Sequence, residues 1–583
     1  MAGAQRSSGS FSGVGSPSGF DSAPRPRRAP SSLARPGGFA RCRLNQRGIE
    51  RRLENGNGAS VHSVPPAQRL RATPRSRAPL SSERAHSPTA EAKPTYAEPM
   101  DATFDVVVIG GGPVGENVAD YAIRGSDRTA AVIEHELMGG ECSYWACMPS
   151  KALLGPGSAL EEARALAGAR ERVSGELPDA AGVLGWRDTV TGRREGPGAT
   201  HDDAGQVRWA EGAGIDVIRG HGRISGERQV TVGDTVLTAR EAVVVATGST
   251  ASIPPTPGLA DALPWTSRDA TNLVDVPDRV LVLGGGVVAC EAVTWLLDLG
   301  VREVVMAIRG DRLLPKMESF VPQLIAESFT RRGVDIRFGT TIESVDRPDV
   351  AATGYGRIHG GPATVHLAGD GAGRIVVDEI LVAAGRSPAT RDLGLESVGL
   401  EAGGPLRVDD HLTVADHPWL YAVGDVNGRN ALTHMGKYQA RVAGDVIAAR
   451  AEGRGLDGPR FAAASDHGAV PQVVFTRPEI AAVGLTERQA KDAGVDVRIA
   501  DGDISVAGSY LTDPEYSGHA RLVVDASRDI LVGATFVGPQ TAELVHSATV
   551  AIVGEVPLSR LWHAVPSYPT ISEVWLRLLD QLR

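Results

Sequence analysis

Two stretches of the chain repeat one arrangement of apolar and polar positions. In FDVVVIGGGPVGENVADYAIR (104–124) a short β-branched run, Val106 to Ile109, meets a glycine cluster and then a helical pattern. VPDRVLVLGGGVVACEAVTWLLDLG (276–300) repeats the plan. A brief apolar run closed by a turn predicts a buried strand, and the apolar spacing beyond it predicts a helix. Each unit is followed by a second strand pattern, TAAVIE ending at Glu134 and EVVMAI ending at Ile308. Strand, turn, helix, strand is the grammar of an α/β fold with parallel sheets. From about residue 459 onward the pattern changes.

The glycine spacing gives the two turns a chemical meaning. In the first unit it is Gly110-x-Gly112-x-x-Gly115. The first glycine permits a tight turn, the second lets backbone approach a pyrophosphate, and the third lets helix and strand pack closely. The helix N-terminus then offers free N–H groups to the phosphates. Glu134 ends the next strand, where a carboxylate can accept ribose hydroxyls. The alternative is a glycine-rich turn with no ligand, which the combination of strand, turn, helix, strand and terminal acid disfavours. The second unit reads Gly284-x-Gly286-x-x-Ala289, with alanine an accepted third residue. Two such units imply two dinucleotides. The second unit puts Ile308, not an acid, at the strand end, with Arg309 next. An arginine there can engage a 2′-phosphate, so NADPH is expected over NADH; a solvent-exposed Arg309 with no cofactor role is the alternative.

Length and charge narrow the class. A chain of 583 residues suggests about three or four domains. The net charge is −10, yet residues 1–99 are rich in Arg, Ser, Pro and Gly, so the remainder is strongly acidic. An acidic body argues against nucleic-acid binding. No apolar run approaches a membrane span, and a cytoplasmic location is expected. Residues 1–99 lack a hydrophobic period and are expected to be disordered. They read as a transit peptide, as a tail for an acidic partner, or as upstream sequence with synthesis starting at Met100; the last is the reading adopted. Four cysteines, Cys42, Cys142, Cys147 and Cys290, are too few for a disulfide scaffold. No metal-ligand set is read from the sequence.

Cys142 and Cys147 lie in GGECSYWACMPSKALL, directly after the first unit. Such a pair can close a disulfide on one turn of a helix, a thiolate near a helix N-terminus is stabilised, and Pro149 and Ser150 fit a distortion of the opening helix. Two buried structural cysteines are the alternative. The segment resembles the redox-active helix of the class I pyridine nucleotide-disulfide oxidoreductases, which carry GG-x-C-x-x-x-x-C-x-P-S/K-K. The resemblance covers about residues 100–583. It implies two Rossmann-like domains, for FAD and NAD(P), and a C-terminal α+β dimerisation domain. The implied division gives 100–253 and 387–458 to FAD, 254–386 to NAD(P) and 459–583 to the homodimer interface.

The resemblance also implies roles. Cys147 lies against the flavin as the charge-transfer thiolate, and Cys142 is the interchange thiol. Gly140 belongs to the same motif. Lys151 sits near the flavin N5 edge, paired with Glu291. Thr247 and Gly248 in AVVVATGSTASIPPTPG match the strand closing the FAD domain, and Gly385 in ILVAAGRSPAT matches the return crossing. Gly424-Asp425 matches the second FAD motif, the Asp holding a ribityl hydroxyl; a buried Asp needs such a partner. Thr433 and His434 fall near the flavin. Ser143, Tyr144 and Trp145 depart from the small residues usual between the cysteines, so two rings either alter access to Cys142 or simply pack.

The C-terminal segment departs further. Dithiol-using relatives end with His-Pro-Thr-x-x-Glu, where the His is the base. Here AVPSYPTISEVW puts Tyr568 in the His place and keeps Glu573. A phenol with a pKa of about 10 is a poor base at neutral pH. The expectation is an NAD(P)H oxidoreductase passing electrons through FAD and Cys142–Cys147 to an unnamed small-molecule or disulfide acceptor. Dihydrolipoamide dehydrogenase, mercuric reductase and a flavin-bound subunit without turnover are the alternatives. The chain ends LRLLDQLR, without the cysteine pair that delivers Hg(II) in mercuric reductases.

Overall fold

A computed structural model describes residues 102–173, 175, 177–194 and 201–583. Cys42, Met100 and the disorder expected for residues 1–99 lie outside the described residues.

The first glycine unit forms as its pattern predicts. β1 (Ala102–Ile109) turns into α1 (Pro113–Ile123), and β2 (Ala130–Glu134) lies parallel to β1. Val106, Val107 and Val108 are fully buried, because β1 is covered on both faces and bonded on both edges. Next come α2 (Gly140–Tyr144), α3 (Cys147–Ala165), α4 (Ala180–Thr191) and α5 (Ala204–Gly212). β3 (Ile215–Arg219) follows, then the meander β4 (Gly222–Gly226), β5 (Gln229–Val232) and β6 (Thr235–Val245).

The chain crosses out on β7 (Ser249–Ala251) and α6 (Ser267–Thr271) into the second glycine unit, β8 (Arg279–Leu283), α7 (Val287–Asp298) and β9 (Glu303–Ala307). α8 (Val321–Arg331) and β10 (Asp335–Arg337) extend it. β11 (Thr340–Asp346), β12 (Ala363–Gly369) and β13 (Gly373–Val377) make a separate antiparallel sheet. β14 (Glu379–Val382) completes the parallel order β10-β9-β8-β14. The chain returns on β15 (Arg386–Pro388), which pairs antiparallel with β7. β16 (Thr413–Val414) and β17 (His417–Ala422) then close the first sheet in the order β16-β17-β6-β1-β2-β3, and α9 (Thr433–Ala451) packs on α1.

The last unit is an antiparallel sheet, β18-β19-β22-β21-β20, made of β18 (Pro471–Val474), β19 (Glu479–Gly484), β20 (Val497–Asp503), β21 (His519–Asp525) and β22 (Ile530–Gly538). Its helices are α10 (Glu487–Asp492), α11 (Ala507–Thr512), α12 (Leu544–Val553), α13 (Leu558–Leu561) and α14 (Val574–Asp580). The architecture is thus two Rossmann-like α/β units followed by an α+β unit. One apolar core joins them: Leu153 and Leu154 of α3 and Trp295 of α7 share it with Val474, Ile480 and Val537 of the last unit. α3 is thereby fixed from three sides, and α3 carries the second cysteine. Among the described residues, no helix is long and apolar enough to cross a membrane.

Candidate active site

The two cysteines stand on different helices. α2 ends at Tyr144, Trp145 and Ala146 leave helical geometry (φ −133°, ψ 0° and φ −136°, ψ −96°), and α3 begins at Cys147. The single helical turn expected from the spacing is therefore broken. Pro149 explains part of this: in a continuous helix the Trp145 carbonyl would look to residue 149, which has no N–H. Both residues are free thiols, half-buried, and the pair is described in its dithiol form.

The two sulfurs titrate in opposite directions. A hydrogen bond from the Cys142 thiol, followed by one with Thr433 and the field of Lys151, draws Cys147 down to about 6, against burial and Glu291. The same shared hydrogen bond, burial and the Cys147 charge push Cys142 well up. Thr433 Oγ1 lies 3.2 Å from Cys147 Sγ. Lys151 Nζ donates to Glu291 Oε2 at 2.8 Å. The other Glu291 oxygen accepts the Phe475 N–H at 2.9 Å, and the Phe475 ring lies 4.7 Å from Lys151 Nζ. Phe475 follows β18, so the last unit completes the pair from within the same chain.

The first glycine turn is built to admit a ligand. A Cβ on Gly115 would strike the Gly110 carbonyl, whereas one on Gly112 would meet only Gly140 Cα, at 4.0 Å. Gly140 closes that cradle, since its own Cβ would come within 2.7 Å of Gly112 Cα. No side chain caps α1, so its first N–H groups face the cradle uncapped. Glu134 accepts the Gly111 and Glu136 N–H groups, both at 2.7 Å, which orients its carboxylate at the end of β2.

The second turn is a close copy with one substitution. Gly111 lies against Glu134 and Met138; Gly285 lies against Ile308 and Leu313. Gly139 N–H donates to Gly111 O at 2.8 Å, and Leu314 N–H to Gly285 O at 2.8 Å. Ile308 therefore occupies the Glu134 place and is buried, and Arg309 follows it, exposed. Gly284 has φ +125°, as Gly110 has +106°, and a Cβ on Gly284 would strike Ala383. Gly286 is open, and Ala289 is fully buried where Gly115 stands in the first unit.

The crossings line the remaining side. Thr247 Oγ1 donates to Ala389 O at 2.8 Å, and Gly248 O accepts Ala389 N–H at 3.0 Å. Gly385 O accepts Ser252 N–H at 3.0 Å. Asp425, after Gly424, takes the Ser249 hydroxyl at 2.6 Å, so it has a protein partner as well as free acceptor capacity. Arg386 holds Ser249 Oγ at 2.8 Å and reaches Glu141, the residue before Cys142, at 3.3 Å. Arg268 also binds Glu141, at 2.9 Å, and stacks on Trp145 at 4.1 Å. Tyr144 and Trp145 are buried, so they pack and do not line an approach to Cys142. Tyr568 is 76% exposed, Glu573 Oε2 is buried without a partner, and neither meets the cysteines within the chain.

Residues 104–445 match the family described as pyridine nucleotide-disulphide oxidoreductase, and 470–578 match its dimerisation domain. The chain belongs to this family. It is 30% identical to a glutathione reductase of Burkholderia cepacia over 82% of this chain and 99% of that one. It is 32% identical to a dihydrolipoyl dehydrogenase of Thermus scotoductus over 82% and 97% of the two chains. The disulfide reductase fold is shared with the solved HOCl-induced flavoprotein disulfide reductase RclA of Escherichia coli, at TM-score 0.67 and 22% identity over 82% and 100%. Members are flavoprotein enzymes that bind FAD and a pyridine nucleotide, and the uncapped cradle at α1 has the form such a group requires.

Sequence reasoning brought together Cys142, Cys147, Lys151 and Glu291, with Thr433 named nearby. It missed Phe475, Glu141, Arg268, Arg386 and Ser249. No periodicity marks these, because each acts through contacts made far along the chain.

Proposed function

We propose that the chain is an NAD(P)H-dependent FAD enzyme that reduces the Cys142–Cys147 pair and delivers two electrons to an acceptor needing no thiol base, with NADPH preferred over NADH. The observation that carries this is the convergence of Lys151, Glu291, Thr433 and both sulfurs, while Tyr568 occupies the position of the expected base.

The described cradle suits the pyrophosphate of FAD at Gly110, Gly112, Gly115 and Gly140, with Glu134 for the ribose and Asp425 for the ribityl chain. Thr247, Gly248 and Gly385 border it at the crossings. Gly284, Gly286 and Ala289 suit the pyridine nucleotide, with Arg309 placed for a 2′-phosphate. On this reading residues 100–253 and 387–458 bind FAD, 254–386 bind NADPH, and 459–583 form a homodimer interface. FAD, when bound, supplies the two-electron relay between nicotinamide and sulfur. The chain's own residues then manage protons and charge. Glu291 holds the Lys151 ammonium at 2.8 Å and keeps it aimed. Cys147 is the thiolate at neutral pH, and Cys142 holds the proton that must leave when the pair is reoxidised. A phenol at Tyr568 is a weak proton shuttle for thiol–disulfide chemistry, so quinone-like acceptors suit this site better than lipoamide or glutathione disulfide.

Stopped-flow reduction by NADPH, then a screen of quinones, lipoamide, glutathione disulfide and Hg(II), tests the reading. The expected result is rapid flavin bleaching, turnover with quinones and weak dithiol activity that rises in Tyr568→His. Dihydrolipoamide turnover matching His-bearing relatives, or equal kcat/KM for NADPH and NADH, overturns the corresponding part.

A further inference from the structure

The break between α2 and α3 takes the helical donors from the carbonyls of residues 142 to 145. Two of these, those of Tyr144 and Trp145, lie in the four-residue link between the sulfurs and find side-chain donors elsewhere. A continuous helix would offer Tyr144 O the Met148 N–H and would offer Trp145 O nothing, since residue 149 is proline. Buried carbonyls without donors are costly.

The donors come from residues 271 and 272, at the end of α6, more than a hundred positions along the chain. Thr271 Oγ1 donates to Trp145 O at 2.9 Å. Ser267 O and Arg268 O lie at 3.0 and 3.3 Å from the same hydroxyl, but Arg268 O already accepts the Asn272 N–H. Asn272 Nδ2 reaches Tyr144 O at 3.3 Å and Arg268 O at 3.0 Å. Both side chains are buried. They are themselves braced: Arg187 of α4 donates to the carbonyls of Thr271 at 2.5 Å and Leu273 at 2.7 Å, and His201 Nε2 lies 2.9 Å from Asn272 Oδ1. Arg268, stacked on Trp145, adds a third contact from the same helix.

We propose that Thr271 and Asn272 are positioning residues for the redox pair: by holding the link between Cys142 and Cys147 they set the equilibrium between its dithiol and disulfide forms. Closing the disulfide at neutral pH removes two electrons and the Cys142 proton from the thiol–thiolate pair and joins Sγ to Sγ. A link held in place spends less conformational entropy on that closure than a loose one. Releasing the link gives freedom chiefly to the dithiol, so the disulfide becomes easier to reduce. The inference rests on the reading of Cys142 and Cys147 as the redox pair.

The test equilibrates the FAD-loaded enzyme with mixtures of reduced and oxidised dithiothreitol, whose own S–S bond takes up the two electrons, one proton from Cys142 and one from solvent. The disulfide fraction is read by alkylation of the peptide carrying both cysteines. Thr271→Val combined with Asn272→Leu should lower the equilibrium constant for disulfide formation by about three- to tenfold, the effect of one or two net hydrogen bonds. Thr271→Ser, which keeps the hydroxyl, should match the parent. Thr340→Val removes a buried hydroxyl that donates to Phe338 O at 2.8 Å in the separate antiparallel sheet, and it should lower stability without moving the constant. A double variant within twofold of the parent, or a Thr340→Val shift of equal size, overturns the proposal. A parent pair that never closes overturns the underlying reading instead. Should the double variant fail to hold FAD, Thr271→Val alone carries the same criteria with a shift of about threefold.

Discussion

Cys147 and Glu116 show how neighbours decide the charge of a buried group. Cys147 is drawn to about 6 by the Cys142 thiol, Thr433 and Lys151. Its folded value is depressed, so the thiolate persists down to about that pH. Alkylation of the reduced enzyme by iodoacetamide should follow this titration at Cys147, and Thr433→Val should shift the profile upward; an unmoved profile rules out the Thr433 contribution. Glu116, in the first turn of α1, is raised from 4.5 to about 8 by burial, countered by Lys437 and reinforced by Glu134, and its Oε1 has no partner. Between those values the folded chain keeps a proton that the unfolded chain has lost. The stabilising share of this group is full at low pH and disappears as pH rises through the folded value. Glu116→Gln should therefore raise Tm most above about pH 8 and little near about pH 5; a gain independent of pH contradicts the burial argument. The cysteine spacing announced the pair, but the Glu116 environment was invisible in sequence, since an acid after a glycine turn resembles any helix-start acid.

At the scale of elements, the glycine turns were the most legible part of the chain. Their strands, helices and third-position packing follow directly from Gly110 to Gly115 and Gly284 to Ala289. The break between α2 and α3 was legible only as a distortion at Pro149 and Ser150; its place before Cys147 was not, because the donors that stabilise it lie at the end of α6. The near-identity of the two turns makes the ends of β2 and β9 a controlled comparison. Arg309→Ala should cut kcat/KM for NADPH by about ten- to a hundredfold, the range for a lost charge-assisted contact, and spare NADH. Ile308→Glu, which places an acid where Glu134 stands in the twin turn, should move preference toward NADH. Steady-state kinetics with both cofactors decides each.

For the whole molecule, the last unit leaves apolar side chains outside its own core. Val550 and Val553 of α12, with Val565, are each more than half exposed, and Tyr568 lies close by in sequence. The match to the dimerisation domain suggests a homodimer, and such exposed apolar surface suits a two-fold partner. Sedimentation should give a dimer, and Val553→Asp should shift it toward monomer; an unchanged sedimentation coefficient removes Val553 from the interface. The C-terminal unit was legible through its family resemblance, whereas its reach into the first two units was not, since nothing in VVFTRP marks the Phe475 amide as the group that fixes Glu291.

That one amide has a consequence for how the enzyme comes into being. A ribosome that has made residues as far as 458 has already produced both nucleotide turns, both sulfurs and Lys151, yet the acid facing that lysine still lacks its backbone anchor. The Lys151–Glu291 pair is anchored only when the end of the chain folds back on its beginning. A half-made or prematurely terminated polypeptide carries the wiring without the switch being thrown.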